Sequence, residues 1–320
     1  MFKVLLKKLL YIAVMLLLIS FISFFAIHAA PNSFFSAGGL NPNMTPEAIA
    51  HLKEVYGLDK PLFEQYLAWL NALLHLDFGI SFASGNSVID EIKSRIGVTL
   101  SINLISMVIV FILAIRIGVW SAMRGGSIDR AAKQFALISY AMPSFYLALL
   151  LIMIFGFKLG WFPITGLESL HPKQGIARYL DMAYHITLPV FVIVFTSFGS
   201  LMLYIRSLTL DILKSDYIFY AKARGLDKKT IRKYYIYKNL MPFIVTILGL
   251  SLPGLLGGSV ILEQIFSIDG MGLLFFQAAL SRDYPVIMGI LIIGAFLTLL
   301  GNIIADLVLL KIDPHRNKLL

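Results

Sequence analysis

The sequence contains no cysteine. Disulfides, thiolate metal ligands and thiol nucleophiles are therefore excluded. Charge is also scarce. Asp, Glu, Lys and Arg make up 14% of the 320 residues, against about 25% in a soluble domain. No GxxxxGK[ST] loop is present to cradle nucleotide phosphates, and no HExxH to hold zinc. His28, His51, His75, His171, His185 and His315 are scattered, and no two have metal-ligand spacing. With 58% of its residues hydrophobic, the chain has the composition of a membrane protein.

What is present is a series of long apolar runs. Six are free of Asp, Glu, Lys and Arg: 9–28, 96–115, 134–157, 182–205, 239–262 and 284–305. About 20 apolar residues span a bilayer, so each is a candidate transmembrane helix. The expected fold is an all-α integral membrane protein with six transmembrane helices. A small α-rich segment lies on the outer side between the first two. The expected divisions are a tail and first helix (1–29), an outer segment (30–95), a five-helix core (96–310) with a cytoplasmic loop (207–241), and a tail (311–320).

The net charge of +9 would point to nucleic acid in a soluble protein. Here it sorts by side. Loops and tails on one side carry 18 Lys and Arg, the other loops 8, and Arg116 stands at a helix edge. Basic residues accumulate on the cytoplasmic side, so both termini are expected inside and no nucleic-acid partner is expected. Lys3, Lys7 and Lys8 before an apolar run also fit a signal peptide. The run is longer than the 7–15 residues of a signal core, so an uncleaved anchor is expected.

The densest positive charge falls in 216–242, DYIFYAKARGLDKKTIRKYYIYKNLMP. Leu213, Tyr217, Tyr220 and Arg224 have helical spacing. Gly225 suits a left-handed C′ position. Asp227 suits the cap of a second helix from Lys228 to near Asn239, with Pro242 opening the next helix at its first turn. Solvated basic loops are common on the cytoplasmic side, and topology alone accounts for charge. It does not account for two short helices with Ala221 and Ala223 ahead of a glycine.

This loop resembles that of the inner-membrane subunits of binding-protein-dependent ABC importers. Two small residues, three variable ones and a glycine are its hallmark, and Tyr220, Ala221 and Gly225 occupy those places. Phe219 stands where an acidic residue often opens the motif. That departure fits the dipeptide/oligopeptide/nickel permease branch. Tyr56-Gly57-Leu58-Asp59-Lys60-Pro61, Gln65-Tyr66, Trp69-Leu70 and Asp77-Phe78-Gly79-Ile80-Ser81 are arranged as in that branch. Leu159-Gly160-Trp161-Phe162-Pro163, Asp269-Gly270-Met271-Gly272, Arg282-Asp283-Tyr284-Pro285 and Asp313-Pro314 are family-like too, with Ile268-Asp269 where Trp-Pro is usual.

Other features have local readings. Thr45-Pro46-Glu47 begins a short amphipathic helix ending near Gly57, and 65–76 forms another. Met142-Pro143 bends the third helix. Arg116 snorkels, and Trp161 fits an interfacial belt. Gly249, Ser251, Pro253, Gly254, Gly257, Gly258 and Ser259 make the fifth helix small enough for close packing or for lining a pore. Glu263 ends it. Asn302 and Asp306 share a face of the last.

The resemblance implies a non-catalytic permease subunit carrying short peptides, with nickel or a nickel chelate as the alternative cargo. It implies a homologous second permease, a substrate-binding protein and two ATPase subunits that hold the ATP and Mg. This chain itself is expected to bind no cofactor and no metal, and to contact membrane lipid. Tyr220, Ala221, Gly225 and Leu226 are the candidate coupling residues. Gly254, Gly257, Gly258 and Glu263 are candidates for pore or gate. A stand-alone channel or secondary transporter is the competing class. Such proteins favour buried midplane charges or inverted repeats, and here charges sit at span ends. A receptor or assembly factor leaves the two-helix loop without a purpose.

Overall fold

A computed structural model describes residues 2–29, 57, 59–171, 173–252, 254–257 and 259–312. The helix expected over 45–56, together with Gly258 and Asp313-Pro314, lies outside the described residues. Among these the structure is helical, and its single β contact is an isolated bridge between Ile80 and Ser87.

The helices are α1 (Phe2–Ala29), α2 (Leu62–Leu74), α3 (Val88–Arg124), α4 (Gly126–Ala141) and α5 (Ser144–Leu151), the last continued by a π-helix, Ile152–Lys158. Then come α6 (Ile176–His185), α7 (Thr187–Leu213), α8 (Asp216–Ala223) and α9 (Lys228–Thr230). A π turn, Ile231–Ile236, joins α9 to α10 (Tyr237–Ser251). The chain ends with α11 (Gly254–Gly257), α12 (Val260–Ile265), α13 (Met271–Ser281) and α14 (Tyr284–Ile312).

Among the described residues, four helices are long and apolar enough to cross a membrane: Lys7–Ala29 within α1, then α3, α7, and Tyr284–Ile304 within α14. The pair Gly126–Ala141 and Ser144–Lys158 makes a fifth if taken as one bent span. Two of the expected spans therefore differ from simple rods. The third turns through 94° between α4 and α5. Pro143 has no N–H and holds the residue before it extended, and Met142 is extended at ψ 118°. The fifth, 239–262, is divided into α10, α11 and α12. Pro242 also differs from expectation. It sits inside α10 rather than at a first turn, because the capped helix that begins at Lys228 runs through it without a stop.

Helix α3 has 37 residues, which is about 55 Å of helix against a hydrocarbon core of about 30 Å. Its ends therefore stand beyond the apolar layer, where Asp90, Glu91 and Arg124 lie.

The chain divides into two units. The first comprises 1–99, 256–260 and 269–303. Here Phe24 of α1, Tyr66 of α2 and Met288 of α14 form one buried cluster. Phe24 and Tyr66 meet edge-on at 5.4 Å, and the Tyr66 and Ser20 hydroxyls are 3.0 Å apart. Asp283 ties the family-like segments of this unit together. Its carboxylate accepts from the Ser81 hydroxyl at 2.5 Å and from the Phe82 and Ala83 amides at 3.1 Å. Nearby, Glu91 accepts from Ser84 and Asn86, and Arg95 pairs with both Glu91 and Asp269.

The second unit comprises 100–255, 261–268 and 304–320. Helices α4 and α7 pack closely because Gly199 presents no side chain. A Cβ there would lie 2.1 Å from the Ala136 carbonyl oxygen. Ser139 donates to the Phe195 carbonyl beside it. Arg206 of α7 grips Asp129 of α4 with two bonds, at 2.6 and 2.5 Å.

Candidate functional site

The loop between α7 and α10 folds as its sequence predicts at the turn and differently in its faces. Gly225 has φ +78°. The Leu226 amide bonds the Ala221 carbonyl at 3.2 Å, and the Gly225 amide bonds that of Lys222 at 2.9 Å. These two bonds define a Schellman ending for α8. Asp227 then caps α9, its carboxylate accepting from the Lys229 and Thr230 amides at 3.2 Å each. A hydrogen bond from the Thr230 side chain, joined by those two amide bonds, holds the Asp227 carboxyl below its usual pKa.

The small residue faces inward. Ala221 is 2% exposed. It packs with Ile218, Ile231, Ile236 and Leu240 of the loop and with Phe111 and Val119 of α3, Ile205 of α7 and Ile244 of α10. Leu226 rests half-buried on the same cluster. Its position C-terminal to the glycine supplies the apolar contact that usually accompanies this helix ending. Tyr220 is 65% exposed and Phe219 69%. Gly225 is exposed, and a Cβ there would meet no atom within 4 Å. The four candidate coupling residues thus divide. Ala221 and Leu226 fasten the loop to the spans, while Tyr220 and Gly225 face outward. Phe219, which drew notice only as a departure from a motif, is the most exposed apolar residue of the loop. Period reading misses this, because α8 is too short to separate its faces by pattern.

A groove of about 620 Å³ opens in the same unit. Asn103 of α3, Ser197, Ser200 and Tyr204 of α7, Ser251 of α10 and Gly254 line it together with apolar side chains. Its volume is that of an ordinary ligand cleft. Asn103 donates to the Leu255 carbonyl at 2.9 Å. Irregular backbone at membrane depth needs such partners. Asn103 escaped the sequence reading because its partner is 152 residues away. Gly254 is exposed to the groove, and Gly257 closes α11. Glu263 is buried in α12 and is not among the described residues lining the groove.

In the segment that leads into α7, Asp181 accepts from the Lys173 ammonium at 2.8 Å, the Ser169 amide at 2.7 Å and the Ser169 hydroxyl at 2.8 Å. These bonds, Lys173 first, hold its carboxyl far below the usual range. Among the described residues, no group of three or more His, Cys, Asp or Glu is placed to hold a metal.

The sequence pattern of the binding-protein-dependent transport system inner membrane component matches residues 114–318, and the pattern of its N-terminal region matches 1–103. The chain belongs to that family. Within it, the oligopeptide transport system permease protein AppB of Bacillus subtilis (strain 168) is 38% identical over 303 residues, covering 94% of each chain. The metal-staphylopine import system permease protein CntB of Staphylococcus aureus (strain NCTC 8325 / PS 47) is 32% identical over 320 residues, covering 98% of each. The fold also resembles a chain of the inward-facing MetNI methionine ABC transporter. The TM-score is 0.56 at 14% identity, covering 70% of this chain and 97% of that one. As a family member, the protein is an α-helical membrane component of a transport system that works with a binding protein.

Proposed function

We propose that this chain is the permease subunit of an ATP-driven importer of short peptides. One observation carries the reading. The cytoplasmic loop presents Phe219, Tyr220 and Gly225 outward while its Ala221 side is sealed into the packing of α3, α7 and α10. A partner that pushes on the exposed face therefore moves those helices with it. Two ATPase subunits bind there, hold the ATP and Mg, and perform the hydrolysis. This chain performs none. A homologous second permease faces the groove, so that Asn103, Ser197, Ser200, Ser251 and Gly254 form one wall of the path. Gly257, Gly258 and Glu263 are the gate candidates. A binding protein delivers cargo from outside.

The topology proposed is six spans with both termini cytoplasmic, counting α4–α5 as one span and α10–α12 as another. It is supported by the basic asymmetry of the loops. Peptide cargo is supported by the Bacillus relative's name. The Staphylococcus relative's name supports a second reading, import of a metal chelate, in which nickel passes as a complex that needs no ligands from this chain. Uptake assays in a deletion strain separate the two. Loss of dipeptide uptake supports the first, and loss of nickel-dependent enzyme activity with peptide uptake intact supports the second.

The coupling role is tested by co-purification in mild detergent at equal membrane abundance. Phe219→Ala with Tyr220→Ala should reduce ATPase retention about tenfold or more, as expected on removing two central aromatic contacts. Full retention and full uptake in that variant would remove the docking role and leave a basic connector.

A further inference from the structure

The segment from α9 into α10 keeps two stripes apart. Ile231, Ile236 and Leu240 are buried, spaced five residues and then four. The five-residue step matches the π turn, closed by the Tyr237 amide on the Arg232 carbonyl. In an uninterrupted α-helix, Lys238 would fall seven residues after Ile231 and return to within about 20° of the buried face. With the wider turn Lys238 is exposed, in company with Lys228, Lys229, Arg232, Lys233 and Tyr234. The Lys233 ammonium lies 4.8 Å from the centre of the Tyr234 ring.

These cations differ from the chain's other organised ones. Arg95, Lys173, Arg178 and Arg206 are each held by a carboxylate. Among the described residues, no ion pair includes Lys228, Lys229, Arg232, Lys233 or Lys238. Height along the helix then divides the five. The charge-free run begins at Asn239. At about 1.5 Å per residue, Lys238 lies about 1.5 Å beyond it, Lys233 about 9 Å and Arg232 about 10.5 Å. The headgroup layer is about 5–8 Å thick on each side. Lys238 lies within that layer, Lys233 and Arg232 stand just past it with flexible stems that reach back to it, and Lys229 and Lys228 lie about 15 and 16.5 Å out.

We infer that Arg232, Lys233 and Lys238 form a binding surface for anionic phospholipid headgroups of the inner leaflet, with Tyr234 seated at the same level. The assignment to the inner leaflet rests on the proposed orientation. The partner is chosen by charge and position: three exposed cations outside the ion pairs of the described residues, and a phenol, where the apolar span meets the headgroups. Exposed Tyr beside Lys and Arg is the composition of that layer, and each basic residue there adds attraction to an anionic surface.

The test uses the full chain with its partner subunits, delipidated in mild detergent. It is titrated with phosphatidylglycerol or with phosphatidylcholine of the same acyl chains, and bound lipid is counted by native mass spectrometry. The wild type should prefer phosphatidylglycerol. Arg232→Gln, Lys233→Gln and Lys238→Gln together should lower that affinity about a hundredfold, each charge contributing about fivefold. High salt should act in the same direction. Lys228→Gln with Lys229→Gln should retain most of the preference. Should the triple variant not accumulate, Lys238→Gln alone carries the test, with a loss of about fivefold. Equal binding of both lipids by the wild type overturns the inference. So does an unchanged preference in the triple variant, including the case where that variant loses the ATPase subunits, which would make the stripe a protein contact. The titration does not depend on orientation. A reporter fused after Lys238 that reads outside would overturn the topology and leave the lipid preference standing.

Discussion

Tyr220 and Ala221 are adjacent and have opposite surroundings, one 65% exposed and the other 2%. Their substitutions should fail in different ways. Ala221→Arg places an unpaired charge in an apolar cluster, which costs several kcal/mol. Its expected outcome is loss of membrane accumulation and a lowered unfolding temperature, whatever the ATPases do. Tyr220→Ala should leave both unchanged and affect only ATPase retention. Gly225→Val meets no atom, so its cost is the positive φ alone, about 1 kcal/mol. It should weaken the join between the two helices without clashing. The turn was legible in the sequence because glycine and aspartate act through the backbone next to them. The direction of Ala221 was not, because it depends on Phe111, Val119 and Ile205, about a hundred residues away or on another helix. Asp283 gives the same lesson. Its motif was visible, but its three donors, some 200 residues away, were not. Asp283→Ala leaves the buried Phe82 amide and the Ser81 hydroxyl without their acceptor, at about 1–3 kcal/mol per unsatisfied group, and frees the more exposed Ala83 amide. Limited proteolysis of the outer segment should show faster cleavage near 77–87.

At the scale of elements, Asp181 fixes the segment ahead of α7 by a bond set whose pH dependence has a definite sign. Its folded pKa is lowered from 3.8. The stabilisation is therefore present above the ordinary carboxylate pKa and lost only as pH falls through the lowered value. Protease cleavage of the loop 166–186 should be the same at pH 7 and pH 5. Asp181→Asn should raise it at both. A transition in the wild type between those pH values would contradict the assignment. The contact of α4 with α7 depends on Gly199. Gly199→Leu drives a side chain into the Ala136 carbonyl and should cost at least the ~1–3 kcal/mol of an overpacked core, read as a lower unfolding temperature in detergent. Apolar spans were legible from run length. Their faces and breaks were not, since a helix apolar all round gives no period to read. Pro143 announced a bend without its 94° angle, and Pro253 and the glycines of the 239–262 run permitted a break without saying that the run divides into three helices.

At the scale of the molecule, the family is shown by both halves of the chain, and the proposed division of labour follows from its parts. The chain supplies a groove and an anchored loop, and it lacks the phosphate-binding loop of an ATPase. The central claim is that transport through this chain is driven by ATP hydrolysed elsewhere. The most direct measurement is uptake of a labelled dipeptide into proteoliposomes. One set holds this chain with its second permease, ATPases and binding protein, and another holds this chain alone. The account predicts uptake that requires ATP and the full set, and that falls with the Phe219→Ala and Tyr220→Ala substitutions while ATP hydrolysis by the free ATPases is unchanged. Equal uptake by the lone chain without ATP would contradict it.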